Sequence, residues 1–264
     1  MKNIQTRSNL VPFFIIAFLI SWVLWTAPVL NSNGVTIPNI LLLFGQFALF
    51  GPLIAGFIFE RKEKGKGAVK GLLKRAWDWK FKKIWLLPTL LLPAAMISLA
   101  LVVKLNVENK SFALGEVFAP IPIFAIILFF IGGPLEEFGW RGYALPRLLK
   151  RYSFVGASLI LGLLHGLWHI PLHFMEGTVQ SAMPLWEFIA VTTVGAIIYS
   201  WIYIHTKGNL MLMLLYHWAG NFAAALLVYW DTSLGRYVFF GIQLLVVIII
   251  VAINSKTKND AHTP

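Results

Sequence analysis

Long apolar stretches interrupted by short polar segments run along nearly the whole chain. Runs of spanning length fall at about 10–30, 38–59, 84–103, 118–135, 154–174, 186–205, 209–230 and 236–253, each close to the roughly 20 residues a helix needs to cross a bilayer core. In lipid a helix satisfies every backbone N–H and C=O within its own segment, so such runs fold as helices. The pattern predicts an all-α, polytopic transmembrane bundle with about eight spans. The first run, preceded by Lys2 and Arg7, is too long for a signal peptide and is followed by seven more.

Charge in the connections sets the orientation. Ten Lys and Arg crowd into the segment from Arg61 to Lys83 between the second and third runs, and Arg141, Arg147, Lys150 and Arg151 follow the fourth. The loops after the third and fifth runs carry Glu108, Glu116 and Glu176 with few balancing bases. Basic loops are retained in the cytoplasm, which places both termini there, with Lys2 and Arg7 at one end and Lys256 and Lys258 at the other. The Arg61–Lys83 block also carries Trp77, Trp79, Phe81 and Trp85, a mixture suited to the membrane interface.

Composition narrows the class. Hydrophobic residues make up 58% and charged residues 12% of the 264 positions, and mean hydropathy is +0.76, far from soluble-domain averages. One integral membrane domain over residues 1–264 accounts for the length, leaving no room for a soluble domain. The net charge of +11 does not point to nucleic acid, because it is concentrated at membrane-facing loops, where anionic headgroups are the natural counterpart. Cysteine is absent, which removes disulfides and thiolate chemistry and leaves His, Glu and Asp as ligands for any metal.

Three polar islands interrupt this apolar background. An ionisable group at membrane depth costs roughly 2.5–3.5 kcal/mol on insertion scales, so its presence there calls for a function. The first island is Glu136-Glu137-Phe138-Gly139-Trp140-Arg141, preceded by Gly132-Gly133-Pro134. The preceding triplet should end or kink the fourth run and restart a helix with proline in its first turn. Arg141 then lies one turn beyond Glu137 in the favourable acid-before-base order, so Glu137 is expected to be held by Arg141 while Glu136 stays free as a working base. A juxtamembrane salt bridge closing a helix turn is the structural alternative.

The second island, His165-Gly166-Leu167-Trp168-His169, lies inside the fifth run, and His173 continues the four-residue spacing until Pro171 disturbs the turn. His165 and His173 would be about 12 Å apart along a regular helix, so at most two neighbours can share one ion. Interior histidines satisfied by the fold, or a proton path, are the alternative to a metal site. In the third island, His217 and Asn221 lie one turn apart and can both donate toward one point, as a developing oxyanion requires. A polar clamp between helices is the alternative there.

Taken together and in this order, E-E-x-x-x-R, a histidine in G-L-W-H-I-P, and H-x-x-x-N resemble the CPBP family of intramembrane proteases. This family, also called Abi, includes CAAX-processing endopeptidases and bacteriocin-processing or self-immunity proteins. The resemblance covers roughly Gly132 to Trp230, a protease-like core over 132–230, and includes Arg141-Gly142-Tyr143. It implies that Glu136 and His169 activate water, that His217 and Asn221 stabilise the oxyanion, and that Glu137 and Arg141 complete the first motif.

His165 departs from the pattern, standing where the family commonly has an aromatic residue; a variant polar network or a metal ligand are the alternatives there. Exchange of His165 for Phe is expected to leave activity largely intact. The chain supplies no recognised closed ligand set, so no cofactor is assigned, and a divalent metal such as zinc stays as the alternative to a metal-free glutamate base. The implied activity is hydrolysis of a peptide bond in a membrane-associated protein or peptide, in a bacterial plasma membrane and with the lipid bilayer as partner. A noncatalytic self-immunity or membrane partner protein and a proton-coupled transporter are the competing classes.

Overall fold

The computed structural model describes residues 9–111 and 132–260, which are helical with no strand among them. The expected fourth span at 118–135 falls almost wholly outside the described residues. Among the described residues, six helices are long and apolar enough to cross a membrane. They match six of the expected runs closely: Leu10–Ser32, Asn39–Lys64, Lys83–Val107, Phe154–Phe174, Leu185–His205 and Ser233–Asn254. The seventh run gives a shorter apolar helix, Leu210–Leu226. The protein is thus an all-helical, multi-pass membrane protein.

In chain order the elements are α1 (Leu10–Ser32), α2 (Asn39–Gly45), α3 (Gly51–Lys64), the short α4 (Ala68–Arg75) and α5 (Leu86–Val107). A π-helical segment at Phe138–Ala144 then runs into the one-turn α6 (Leu145–Leu148). It is followed by α7 (Phe154–Trp168), α8 (Leu185–His205), α9 (Leu210–Leu226) and α10 (Ser233–Asp260). A 3-10 segment, Gln46–Phe50, joins α2 to α3 within the second span. Caps mark the starts of two site helices: the Ser153 hydroxyl accepts from the Gly156 N–H at 3.1 Å, and the Asn209 side chain accepts from the Leu212 N–H at 3.0 Å.

Lipid tails give apolar helices no hydrophobic reason to associate, so close packing at small residues has to hold them. α7 lies against α8 through Gly162 and Gly166, spaced four apart on one face. A Cβ at Gly162 would fall 2.7 Å from the Thr193 Cα and 2.8 Å from its carbonyl oxygen, and one at Gly166 would fall 3.1 Å from the Ile189 Cα. α1 meets the 3-10 segment ahead of α3 at Ser21, whose hydroxyl donates to the Ala48 carbonyl at 2.7 Å. Gly56 of α3 approaches Gly139 of the π-helix, and Gly139 in turn sits directly on the Pro52 carbonyl. The first polar island is thereby seated against α3.

One end of the bundle is tied by charge. Arg147 reaches Glu63 at 2.5 Å and Glu60 at 2.9 Å, and the Tyr143 hydroxyl donates to Glu63 at 2.6 Å. Asn9, just ahead of α1, donates its amide nitrogen to the same Glu63 at 3.0 Å. These bonds fasten the start of α1, the end of α3 and α6 at the end of the bundle that carries the basic block.

Candidate active site

Gly132-Gly133-Pro134 does not start a regular helix. Residues 132–135 form a helical turn, Glu136 lies in a turn, and Phe138–Ala144 wind as a π-helix. The difference has a local cause: the close seat of Gly139 on the Pro52 carbonyl fixes this segment against α3, and the wider winding accommodates it. Its residues from Phe138 to Ala144 are all buried.

The two carboxylates are treated differently. Glu137 is fully buried and its Oε1 receives Arg141 Nη1 at 2.8 Å. The same oxygen receives His217 Nδ1 at 2.7 Å, from α9. Arg141, 1% exposed, also lies over the Tyr199 ring at 3.9 Å, so α8 supplies a face for the cation. Glu137 thus holds the Arg141 cation and a His217 ring nitrogen on one oxygen, and such a buried set is stable only while complete.

Among the described residues Glu136 has no Lys or Arg partner of this kind. Its Oε2 lies 3.1 Å from His165 Nε2 and 3.4 Å from Trp140 Nε1, and it opens on the interior cavity. The motif resemblance pairs Glu136 with His169 and treats His165 as a departure. The structure brings both histidines to Glu136: one ligand atom from each of Glu136, His165 and His169 lies within 4.8 Å of the others. His169 Nδ1 donates to the His165 carbonyl at 2.9 Å, which fixes its tautomer and leaves Nε2 for the cavity. His173 stands apart from this group, packed on the Phe188 ring.

His217 and Asn221, both on α9, meet the first island at Gly133. A Cβ at Gly133 would lie 2.6 Å from Asn221 Nδ2 and 3.0 Å from His217 Nε2, so the bare glycine is what leaves room for both groups. All six residues selected from the sequence therefore converge on one region. Two further participants are not singled out by the sequence: Trp140, one turn beyond Glu136 in the same island, and Tyr199, which nothing in the apolar sequence of α8 distinguishes. A third contact comes from α1, where Trp22 donates its indole N–H to the Trp168 carbonyl at 2.9 Å and braces the end of α7.

The site opens on a cavity of about 620 Å³ whose lining includes Glu136, Arg141, His165, His169, His217 and Asn221. Much of the remaining wall is apolar, including Trp25, Met96, Ile97 and Phe188. The arrangement offers a carboxylate beside two imidazoles, amide and imidazole nitrogens on the same cavity, and a sheltered space large enough for a peptide segment. The donor set Glu136, His165 and His169 also fits a divalent ion with an open fourth position, since three protein ligands plus water is the usual pattern of a catalytic zinc.

A family model described as type II CAAX prenyl endopeptidase Rce1-like matches residues 118–223, the stretch that contains all three polar islands. The curated CAAX prenyl protease 2 of Methanococcus maripaludis is 26% identical over 256 residues, covering 92% of this chain and 93% of the relative. Both comparisons bear out the resemblance to the CPBP family of intramembrane proteases that the three polar islands carry.

Proposed function

We propose that the protein is an intramembrane endopeptidase that hydrolyses a peptide bond of a membrane-associated protein or peptide. The observation that carries this reading is the placement of Glu136 beside His165 and His169, with the His217 and Asn221 nitrogens close to Gly133 on the same cavity. Glu136 and the free Nε2 of His169 hold a water. Glu136 takes its proton as the oxygen attacks the substrate carbonyl, and the carbonyl oxygen, becoming negative, turns toward Asn221 Nδ2 and His217 Nε2; collapse of this intermediate breaks the C–N bond as Glu136 returns the proton to the leaving amine.

The tautomer of His217 matters to this step. Its Nδ1 faces a carboxylate oxygen of Glu137 and donates to it, so donation from Nε2 as well requires an imidazolium. Glu137 faces both cations, Arg141 and His217, and the carboxylate of Glu136 supplies the second negative charge of the site. Glu137 and Arg141 then act through His217 rather than on the substrate. His165, donating to Glu136, holds that carboxylate toward the cavity.

A metal-assisted variant is the second reading, favoured by the mutual reach of Glu136, His165 and His169. A divalent ion held there would act as a Lewis acid on water or on the carbonyl, while His217 and Asn221 keep the same role. As to substrate, the name of the archaeal relative and the largely apolar cavity wall support a prenylated C-terminal CAAX segment as the first peptide to try.

The test compares membrane-associated peptides from cells expressing wild type and Glu136→Gln at matched levels by quantitative mass spectrometry. Fragments dependent on the wild-type glutamate support proteolysis and identify the substrate. Identical profiles with both proteins folded and abundant would remove it in favour of an immunity or transport role.

A further inference from the structure

A second cavity of about 430 Å³ lies at the end of the bundle where α3, α6 and α8 finish, well apart from the apolar chamber in its lining. Among the described residues, six cationic side chains line it against a single acid, Glu63. That acid is already consumed by Arg147, by the Tyr143 hydroxyl and by Asn9. Lys64 is paired with Glu60. Lys150, Arg151 and Lys207 are left facing the cavity with exposed side chains and no counterion among the described residues.

The floor of this cavity is built. Arg75 donates to the Gly142 carbonyl at 3.3 Å, to the Tyr203 hydroxyl at 3.2 Å and to the Gly208 carbonyl at 3.0 Å, joining α4, the π-helix and the loop between α8 and α9. Lys207, beside that loop glycine, has φ +56°, a left-handed conformation uncommon for a residue with a Cβ. This backbone closes α8 as a Schellman cap, with the Gly208 N–H donating to the Tyr203 carbonyl at 2.8 Å and the Lys207 N–H to the Ile204 carbonyl at 3.4 Å, and so fixes where the Lys207 side chain starts. The spans Asn39–Lys64 and Leu185–His205 both finish at this end, so the cavity sits at headgroup depth, on the side that the basic loops mark as cytoplasmic.

We infer that this cavity is a binding site for a phosphate group, supplied by the headgroup of an anionic phospholipid. Lys150, Arg151 and Lys207 would surround the phosphate, and Arg75 would hold the pocket open beneath it. A zwitterionic headgroup brings its own cation into the same concave positive field and is disfavoured. The Arg61–Lys83 block contributes Lys64 and Arg75 to this cavity, while its remaining bases lie outside the lining and attract anionic membranes as a diffuse charge. The site does not depend on the proposed proteolysis.

The test is retention of phosphatidylglycerol against phosphatidylcholine by delipidated full-length protein, read by native mass spectrometry, with thermal unfolding in parallel. Wild type is expected to prefer phosphatidylglycerol. Lys150→Ser, Arg151→Ser and Lys207→Asn combined should bind it roughly a hundredfold more weakly. Asn is chosen at 207 because it tolerates the left-handed backbone. Lys66→Ser, Lys70→Ser and Lys80→Ser combined remove the same charge from outside the cavity and should leave the preference in place.

Inorganic phosphate provides a further arm that needs no variant. If millimolar phosphate displaces the lipid and alone protects wild type from heat as well as the lipid does, the phosphate site stands and its source is soluble. Equal retention of both lipids, or equal loss of preference in the two triple variants, would overturn the inference.

Discussion

Nδ1 of His217 lies 2.7 Å from the same Glu137 oxygen that receives Arg141 at 2.8 Å, so one buried carboxylate serves two helices at once. Removing Glu137 would strand the Arg141 charge in the interior. Glu137→Ala is expected to destabilise the protein by about 3–5 kcal/mol, while Glu136→Gln, which removes no ion pair of this kind, should unfold near wild type yet lose cleavage. Denaturant unfolding in detergent separates the two. Equal stabilities for both variants would refute the division of labour between the glutamates.

His165 stands 3.1 Å from Glu136, and this contact argues against the expectation that phenylalanine would substitute quietly. His165→Phe should lower kcat roughly a hundredfold with little change in KM, the size typical of disturbed proton transfer. His165→Asn keeps an N–H donor and should recover part of the loss. Unchanged kcat in the Phe variant would show that the aromatic shape alone matters at this position.

Gly133 leaves the space into which Asn221 and His217 project. Gly133→Ala is expected to cost about 10²–10³-fold in kcat, the scale of losing an oxyanion donor, with the thermal midpoint nearly unchanged. A full-rate alanine variant would show that the transition-state oxygen sits elsewhere.

The glutamate reading and the metal reading diverge under chelation. With Glu136 as a metal-free base, exhaustive dialysis against a chelator should leave cleavage of an identified substrate intact. Loss of activity that zinc alone restores would establish the metal-assisted route through Glu136, His165 and His169.

Packing at the α7–α8 crossing makes a prediction about stability rather than chemistry. Because Gly162 faces the Thr193 backbone, which cannot rotate away, Gly162→Leu should prevent accumulation of folded protein, measured as monodisperse yield after detergent extraction. Gly241, which has open space where a methyl group would project, should accept alanine at normal yield.

Much of this molecule was legible from sequence because a bilayer is a simple solvent. It forces long apolar helices, so six expected spans coincide with helices in the structure, and it makes buried charge so costly that Glu136, Glu137, Arg141, His169, His217 and Asn221 stood out against it. The Glu137–Arg141 pair was readable because it is local. Contacts between helices were not: His165 meets Glu136 across 29 residues and His217 meets Glu137 across 80. Tyr199 gave no signal, because an aromatic residue in an apolar helix is what a membrane span contains anyway. The π-helical winding was equally hidden, since it follows from where Gly139 lands on Pro52 rather than from any local preference of its residues.

That wider winding means the first motif is counted in an unusual metre. A π-turn carries one more residue per hydrogen-bonded ring than an α-turn, so the four-residue steps from Glu136 to Trp140 and from Glu137 to Arg141 are set by a segment with an extra residue in it. Excising a single residue between Phe138 and Ala144 would let the segment relax to ordinary winding and swing everything before it around the axis, turning both carboxylates away from their partners. The spacing of this motif is therefore intolerant of deletion in a way that no single side chain accounts for, and length polymorphism should be purged from these seven positions even where the residues themselves are free to change.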